Sequence, residues 1–379
     1  MTFVYVAAIG VLLVVAIHLA VGWSLANGLY EGMLRVYPRE RVGTVRVRAL
    51  SGDRLVLEAP APTQEIGHPG RLGIVWEGGH GTVGDVLTAD GLTVTRSFNA
   101  DVGTPPVCEG PIEGCPAVLL EGYYYRHGPG DVGLKFEETT YKTELGEMAA
   151  WAVPAGDGSK WAVLCHGWTA ERRELVRMLP ELHRRGWSAL VIAYRNDPGM
   201  PADPTGRYRF GVSEWRDVES AVTDVQTRGA SEVILVGCST GGALVMSFLE
   251  RSELADAVRG VVLDSPNLVL SETVRLATAG SKATRLMIEV GMWIADLRWR
   301  IDWEATDHVA RAAECLQVPA LVFHGTSDQT VPIVESRALE ALVPSLVELV
   351  ETPAAGHVMS WNADPGRYEA YLGNFLDRI

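Results

Sequence analysis

From about Val132 to the C-terminus, short uninterrupted apolar runs alternate with stretches of helical periodicity, and this alternation leaves few folds open to the chain. The runs are 161–165, 189–194, 233–236, 260–263, 320–323 and 346–350. Strands that are apolar on both faces belong in a parallel sheet with helices on each side. Helices are expected between them at 171–185, 214–228, 242–251 and 334–342, and a hairpin-like pair, 136–141 and 147–154, precedes the first run. The expected fold class is therefore α/β, a doubly wound and mostly parallel sheet over 132–379. A long insertion at 267–315 interrupts it, with helical spacing and many large apolar residues, and reads as a helical cap. Met287, Met292 and Trp293, among others there, either line a greasy substrate pocket or simply pack the cap onto the sheet.

Before residue 132 the pattern is different. Between Val42 and about Arg126 the period is two, in short alternating runs such as TVRVRAL and RLGIVWE separated by Gly, Pro and Asp, so residues 31–131 are expected to form a small antiparallel β-rich domain. Residues 3–21, FVYVAAIGVLLVVAIHLAV, carry one strongly polar side chain, His18. As a helix they would cross roughly 28 Å of hydrocarbon, enough for one membrane span. A cleaved secretory signal is the rival reading; no basic segment precedes the run and no small-x-small site follows it, so residues 1–30 are expected to be a retained single-pass anchor. Arg35, Arg39, Arg41, Arg46 and Arg48 follow the span, which by the positive-inside rule places the bulk of the chain in the cytoplasm.

Five cysteines without a CxxC pair fit neither a disulfide framework nor a zinc site, and no metal is expected. Buried free thiols are the expectation for all of them, although Cys108 and Cys115 bracket a Pro/Gly-rich loop at a spacing suited to a small disulfide in an oxidising compartment. A formal net charge of -14, with no Lys/Arg-rich stripe, argues against nucleic acid as a partner.

Gly237-Cys-Ser239-Thr-Gly241 sits where an apolar strand ends and a helix begins. In that context the two glycines flank a sharp turn that presents Ser239 as a nucleophile. Asp328 closes a short loop after the strand at 320–323, and His357 follows the next strand, which gives the order Ser, Asp, His at strand ends. His357 would accept the serine proton and Asp328 would fix its tautomer, with Asp264 as the rival acid. The strand at 161–165 leads into His166-Gly-Trp168, so the backbone N–H groups of Trp168 and Thr240 are the candidates for an oxyanion hole. His166 and His324 read as structural hydrogen-bonders, and Tyr123, Tyr124 and Tyr125 as strand residues. Gly79-His-Gly-Thr-Val-Gly84 fits a dinucleotide pattern by spelling alone; hairpin sequence follows it, where a pyrophosphate site needs a helix.

Together, Gly237 to Gly241, His166-Gly167, His324 to Asp328 and Gly356-His357 resemble the α/β-hydrolase superfamily over roughly 132–379, and are similar to its bacterial esterase, lysophospholipase and serine-aminopeptidase-like branch. The resemblance implies hydrolysis without a cofactor. A small-molecule or lipid-like ester is the expected substrate; a peptidase, amidase or thioesterase would use the same residues, and a non-catalytic binding module of this fold is the remaining alternative.

Overall fold

The computed structural model describes residues 2–37, 41–61 and 64–379; Arg39 lies outside them. It opens with α1 (Thr2–Leu29), followed by a π-helical turn, Tyr30–Leu34. Tyr5, Ile9, Leu12, Leu13 and Ile17 of α1 are exposed, whereas Ala26 and Leu29 are buried. The helix therefore projects an apolar surface at one end and docks at the other.

Next come β1 (Arg46–Ser51), β2 (Arg54–Glu58), the single turn α2 (Gln64–Gly67), β3 (Leu72–Trp76), β4 (Gly79–Asp90), β5 (Thr93–Val102) and β6 (Leu119–Glu121). They form one antiparallel sheet in the order β1-β2-β5-β4-β3-β6. Its period of two puts Val47, Leu55, Leu57, Ile74, Val83 and Val94 into a core of its own. The Gly79–Gly84 glycines lie within β4. Cys108 and Cys115 form a disulfide with Cα atoms 5.6 Å apart, contrary to the expectation of free thiols. The intervening Pro/Gly-rich loop, with a 3-10 turn at Ile112–Gly114, folds back so that the two ends meet.

Beyond them lie β7 (Glu137–Thr143), β8 (Gly146–Val153), β9 (Lys160–Cys165), α3 (Leu179–Arg184), β10 (Ser188–Ile192), α4 (Trp215–Thr227), β11 (Glu232–Cys238), α5 (Thr240–Arg251) and β12 (Val258–Asp264). The insertion folds as α6 (Leu270–Thr278), α7 (Arg285–Trp299) and α8 (His308–Cys315). The chain then completes the sheet with β13 (Ala320–Gly325), α9 (Val334–Leu342), β14 (Val347–Thr352), α10 (Ser360–Ala363) and α11 (Pro365–Leu376). The sheet order is β14-β13-β12-β11-β9-β10-β8-β7, and the six strands from β14 to β10 run parallel. Each face carries its own buried apolar layer. After β9 the chain moves first to one neighbour, β10, and then across to the other, β11, so the strand order reverses at β9. Ligands in open α/β sheets bind outside the strand ends at such a switch point.

Two expectations change here. The helix foreseen at 171–185 is a 3-10 run, Arg172–Met178, before α3, because Pro180 has no N–H to donate and its ring opposes the Val176 carbonyl. Tyr123, Tyr124 and Tyr125 lie beyond the end of β6 in a loop. There, Tyr123 is covered by Arg41 and Arg173 at 4.3 and 4.4 Å from its ring centre, and the other two tyrosines pack on Trp361. They join the β-rich unit to the larger sheet.

Candidate active site

Ser239 caps α5 with φ +51° and ψ −118°. A side chain in that region of backbone space is uncommon and persists only where the surroundings enforce it. Here a Cβ on Gly237 would stand 2.5 Å from the Gly241 carbonyl oxygen, and one on Gly241 would collide with the Cys165 carbonyl. Both positions must therefore be glycine. The turn is held by Ser239 N–H donating to Asp264 O at 2.9 Å and by Gly242 and Asn267 N–H donating to Ser239 O.

The loop between β14 and α10 carries His357, with Nε2 2.8 Å from Ser239 Oγ and Nδ1 2.7 Å from Asp328 Oδ2. A carboxylate only accepts, so Nδ1 bears the proton and Nε2 is left to accept from the serine hydroxyl. Asp328 is buried. Its Oδ1 accepts from Thr330 and Val331 N–H at 2.8 and 2.9 Å, and its Oδ2 also lies 3.2 Å from His324 Nε2. Burial alone would raise its pKa, but hydrogen bonds and charge from His324 and His357 hold it well below the usual carboxylate range. His324 is itself anchored by Ser336 Oγ at 2.8 Å, so a residue read as merely structural touches the acid of this chain.

Asp264, the rival acid, is spoken for elsewhere. Arg177 Nη2 and the Tyr368 hydroxyl both donate to its Oδ2 at 3.2 Å, deep in the core. Arg177 also donates to the Val358 carbonyl at 2.8 Å, one residue past His357.

The β9 loop comes close to the serine: a Cβ on Gly167 would stand 3.1 Å from Ser239 Cβ, and Trp168 follows it. Glu174 Oε2 accepts from Gly167 N–H at 2.8 Å and fixes the loop. Thr240 is the first residue of α5, where N–H groups have no intrahelical acceptor. His166 points away, bonded to Asp197 at 2.8 Å and stacked on Tyr194.

The cap residues are placed differently from a pocket at the serine. Met292 is buried and lines a cavity of about 310 Å³ together with Leu25, Gly28, Leu29, Ile288 and Gly291; Met287 is half-buried and Trp293 is 55 % exposed. Neither Ser239, Asp328 nor His357 lines that cavity. The cause is α1, which docks on α7 and takes up its apolar face. Trp168 instead meets Tyr208 and Phe210, at 6.1 and 6.4 Å between ring centres, within the cluster that includes Met292. A larger cleft, about 870 Å³, lies between the two sheets and is lined by Thr169, Arg41, Arg126, Arg172 and Arg173.

Comparison with known proteins agrees with this architecture. A domain of unknown function matches residues 46–108, within the β-rich unit. The uncharacterized protein YfhR of Salmonella typhimurium is 24% identical over 275 residues, 67% of this chain and 85% of that protein. The Pyrococcus furiosus esterase Pf2001 superposes with a TM-score of 0.53 at 19% identity, covering 67% of this chain and 96% of the esterase. A second crystal form of it gives 0.53 at 18%, covering 67% and 94%. At such identities the likeness is one of fold. The model of the alpha/beta hydrolase family matches residues 162–370, more than half of the sequence and running from within β9 past β14, and the chain belongs to that family.

Proposed function

We propose that this chain is a membrane-anchored serine hydrolase that cleaves carboxylic esters with apolar acyl groups, with Ser239 as nucleophile, His357 as general base and acid, and Asp328 as its orienting carboxylate. The observation that carries the reading is the unbroken chain from Ser239 Oγ through His357 to Asp328, at 2.8 and 2.7 Å, beside a serine whose backbone is forced into the left-handed region. In the first step Ser239 Oγ bonds to the ester carbonyl carbon while its proton passes to His357 Nε2. Asp328 stabilises the imidazolium, and the Trp168 and Thr240 N–H groups face the oxyanion. Collapse of the tetrahedral intermediate releases the alkoxide, which takes the proton from Nε2. Water then repeats the sequence on the acyl-serine, giving the carboxylic acid and free Ser239. Trp168 follows the Gly167 that abuts Ser239 and packs with Tyr208 and Phe210, and these apolar surroundings favour an apolar acyl group.

The same reading divides the chain into an anchor at 1–30, a β-rich unit at 31–131 and a catalytic part at 132–379. It puts both folded parts on the oxidising side of the membrane. The Cys108–Cys115 disulfide favours that side, and the arginines behind the cytoplasmic expectation serve the fold: Arg35, Arg41 and Arg48 pair with Glu31, Glu121 and Glu58. Hydrolysis of p-nitrophenyl esters from acetyl to palmitoyl, by the full chain in detergent with Ser239→Ala as the blank, tests the chemistry. Turnover lost in S239A supports it; equal turnover in both proteins, or none from folded wild type, refutes ester hydrolysis at Ser239.

A further inference from the structure

The loop that carries His357 is strained. Ala354 and Val358 both hold positive φ, +57° and +55°, and a β-branched residue there is a true outlier that relaxes unless its neighbours prevent it. From the catalytic part, Thr326 Oγ1 accepts from Ala354 N–H at 3.0 Å, Ser327 N–H donates to Ala355 O at 2.9 Å, and Ser265 Oγ accepts from Val358 N–H at 3.0 Å. One bond comes from outside. Gly356 N–H, next to the histidine, donates to His68 Nε2 at 2.9 Å, across 288 residues of sequence.

His68 is built for that acceptance. It is 5% exposed, and its Nδ1 lies 2.8 Å from the Pro69 carbonyl, which only accepts; Nδ1 thus carries the proton and Nε2 offers a lone pair. Burial, and secondarily the charge of Arg96, keep the ring neutral by lowering its pKa against the pull of that carbonyl. Arg96 is fully buried and donates to the carbonyls of Ile66, His68 and Gly84 at 3.0, 2.8 and 2.7 Å, and to that of Gly70. The 66–70 segment is therefore pinned at three of its carbonyls. A second clamp lies beside it: Arg71 N–H donates to Asn362 O at 2.9 Å, while Asn362 Nδ2 donates to Arg71 O and Gly122 O at 2.7 and 3.0 Å.

We infer that the β-rich unit positions the catalytic histidine, and that His68, held by Arg96, is the positioning residue that keeps Gly356, and through it His357, in register with Ser239. This rests on the triad reading above. It gives a role to a unit whose matching family has none recorded, and it explains why that unit is docked on the histidine loop. Loss of the acceptor should let Val358 relax and shift the imidazole, which costs rate far more than substrate binding.

The test uses the full chain in detergent. His68→Phe removes the acceptor, His68→Gln restores one, and Val47→Ala weakens the β unit's core at a site away from the loop. Two readouts are taken: ester kinetics, and amide hydrogen exchange of the peptide spanning 353–359. H68F should lower kcat by roughly 10-fold to 100-fold with KM changed less than about twofold, and should speed exchange in that peptide. H68Q should recover part of both, and V47A should lower Tm with kcat and loop exchange near wild type. Unchanged loop exchange in H68F overturns the proposal, as does faster exchange with unchanged kcat, or V47A reproducing the H68F kinetics. Absence of Ser239-dependent turnover in wild type would refute ester hydrolysis at Ser239 instead, with loop exchange still deciding whether His68 holds the segment.

Discussion

Asp328 and Asp264 stand at the ends of adjacent strands, and their surroundings assign them opposite work. Asp328 receives His357 Nδ1, whereas Asp264 neutralises Arg177 in the core. Asp328→Asn should leave folding intact and cut kcat by roughly 10³-fold to 10⁴-fold, because the amide no longer favours the reactive tautomer. Asp264→Asn should instead strand a buried guanidinium and lower stability by about 3–5 kcal/mol. Urea unfolding beside ester kinetics separates them; a kcat loss in D264N matching that in D328N, with stability retained, would exchange their roles. Both acids were visible in the sequence because Asp264 ends an apolar strand and Asp328 closes a short loop after one. The groups that support them were not. His68 meets Gly356 and Arg177 meets Val358 only after distant strands have paired, and nothing local to a histidine just past a single helical turn or an arginine in a 3-10 run marks its partner.

At the level of elements, α1 combines an exposed apolar stretch with a docked end. Its first part is exposed and apolar, as a membrane span requires, and Tyr5–Leu34 is the one candidate span among the described residues. Its last turns pack on α7, where Gly22 lies against Val290 and Gly291, and where Tyr30 stacks on Trp299 at 4.7 Å. Arg298 lies 4.0 Å from the Trp23 ring centre and donates to Asn27 at 2.6 Å. Small residues at such a crossing let the backbones approach closely. Deletion of residues 1–20 should therefore leave the cap covered, whereas deletion of 1–30 should uncover Met292, Ile294 and Val274. The shorter cut should release a soluble enzyme with near-wild-type kinetics. The longer one should melt several degrees lower and bind a hydrophobic dye. Equal melting of both would mean the α1–α7 packing adds nothing. Apolar periodicity in the insertion announced helices, but it could not say which surface would cover them. Hence the sequence left open whether Met287, Met292 and Trp293 line a pocket or pack the cap, when the partner of α7 was a helix more than 250 positions earlier.

For the whole molecule, with α1 spanning a membrane as proposed above, two signals in the chain disagree on which side the two sheets lie. The arginine flank points inward by charge count, yet the flank is part of the fold: Arg41 donates to Glu121 and to the Tyr123 hydroxyl at 3.1 and 2.6 Å, and Arg48 pairs with Glu58 on the neighbouring strand at 2.9 Å. Such pairing does not cancel the charge signal, because the rule counts Lys and Arg near the span and acidic partners contribute little. The disulfide weighs more, since reducing compartments keep thiols open. A C-terminal alkaline phosphatase fusion in a bacterial host should therefore be active, and the matching green fluorescent protein fusion dark. Thiol counting gives an independent reading, because three of the five cysteines are free in the structure. Protein denatured without reductant should take up three maleimides, and five after reduction. An inactive phosphatase fusion together with five reactive thiols at the outset would return both sheets to the cytoplasm and leave the arginines as the better guide.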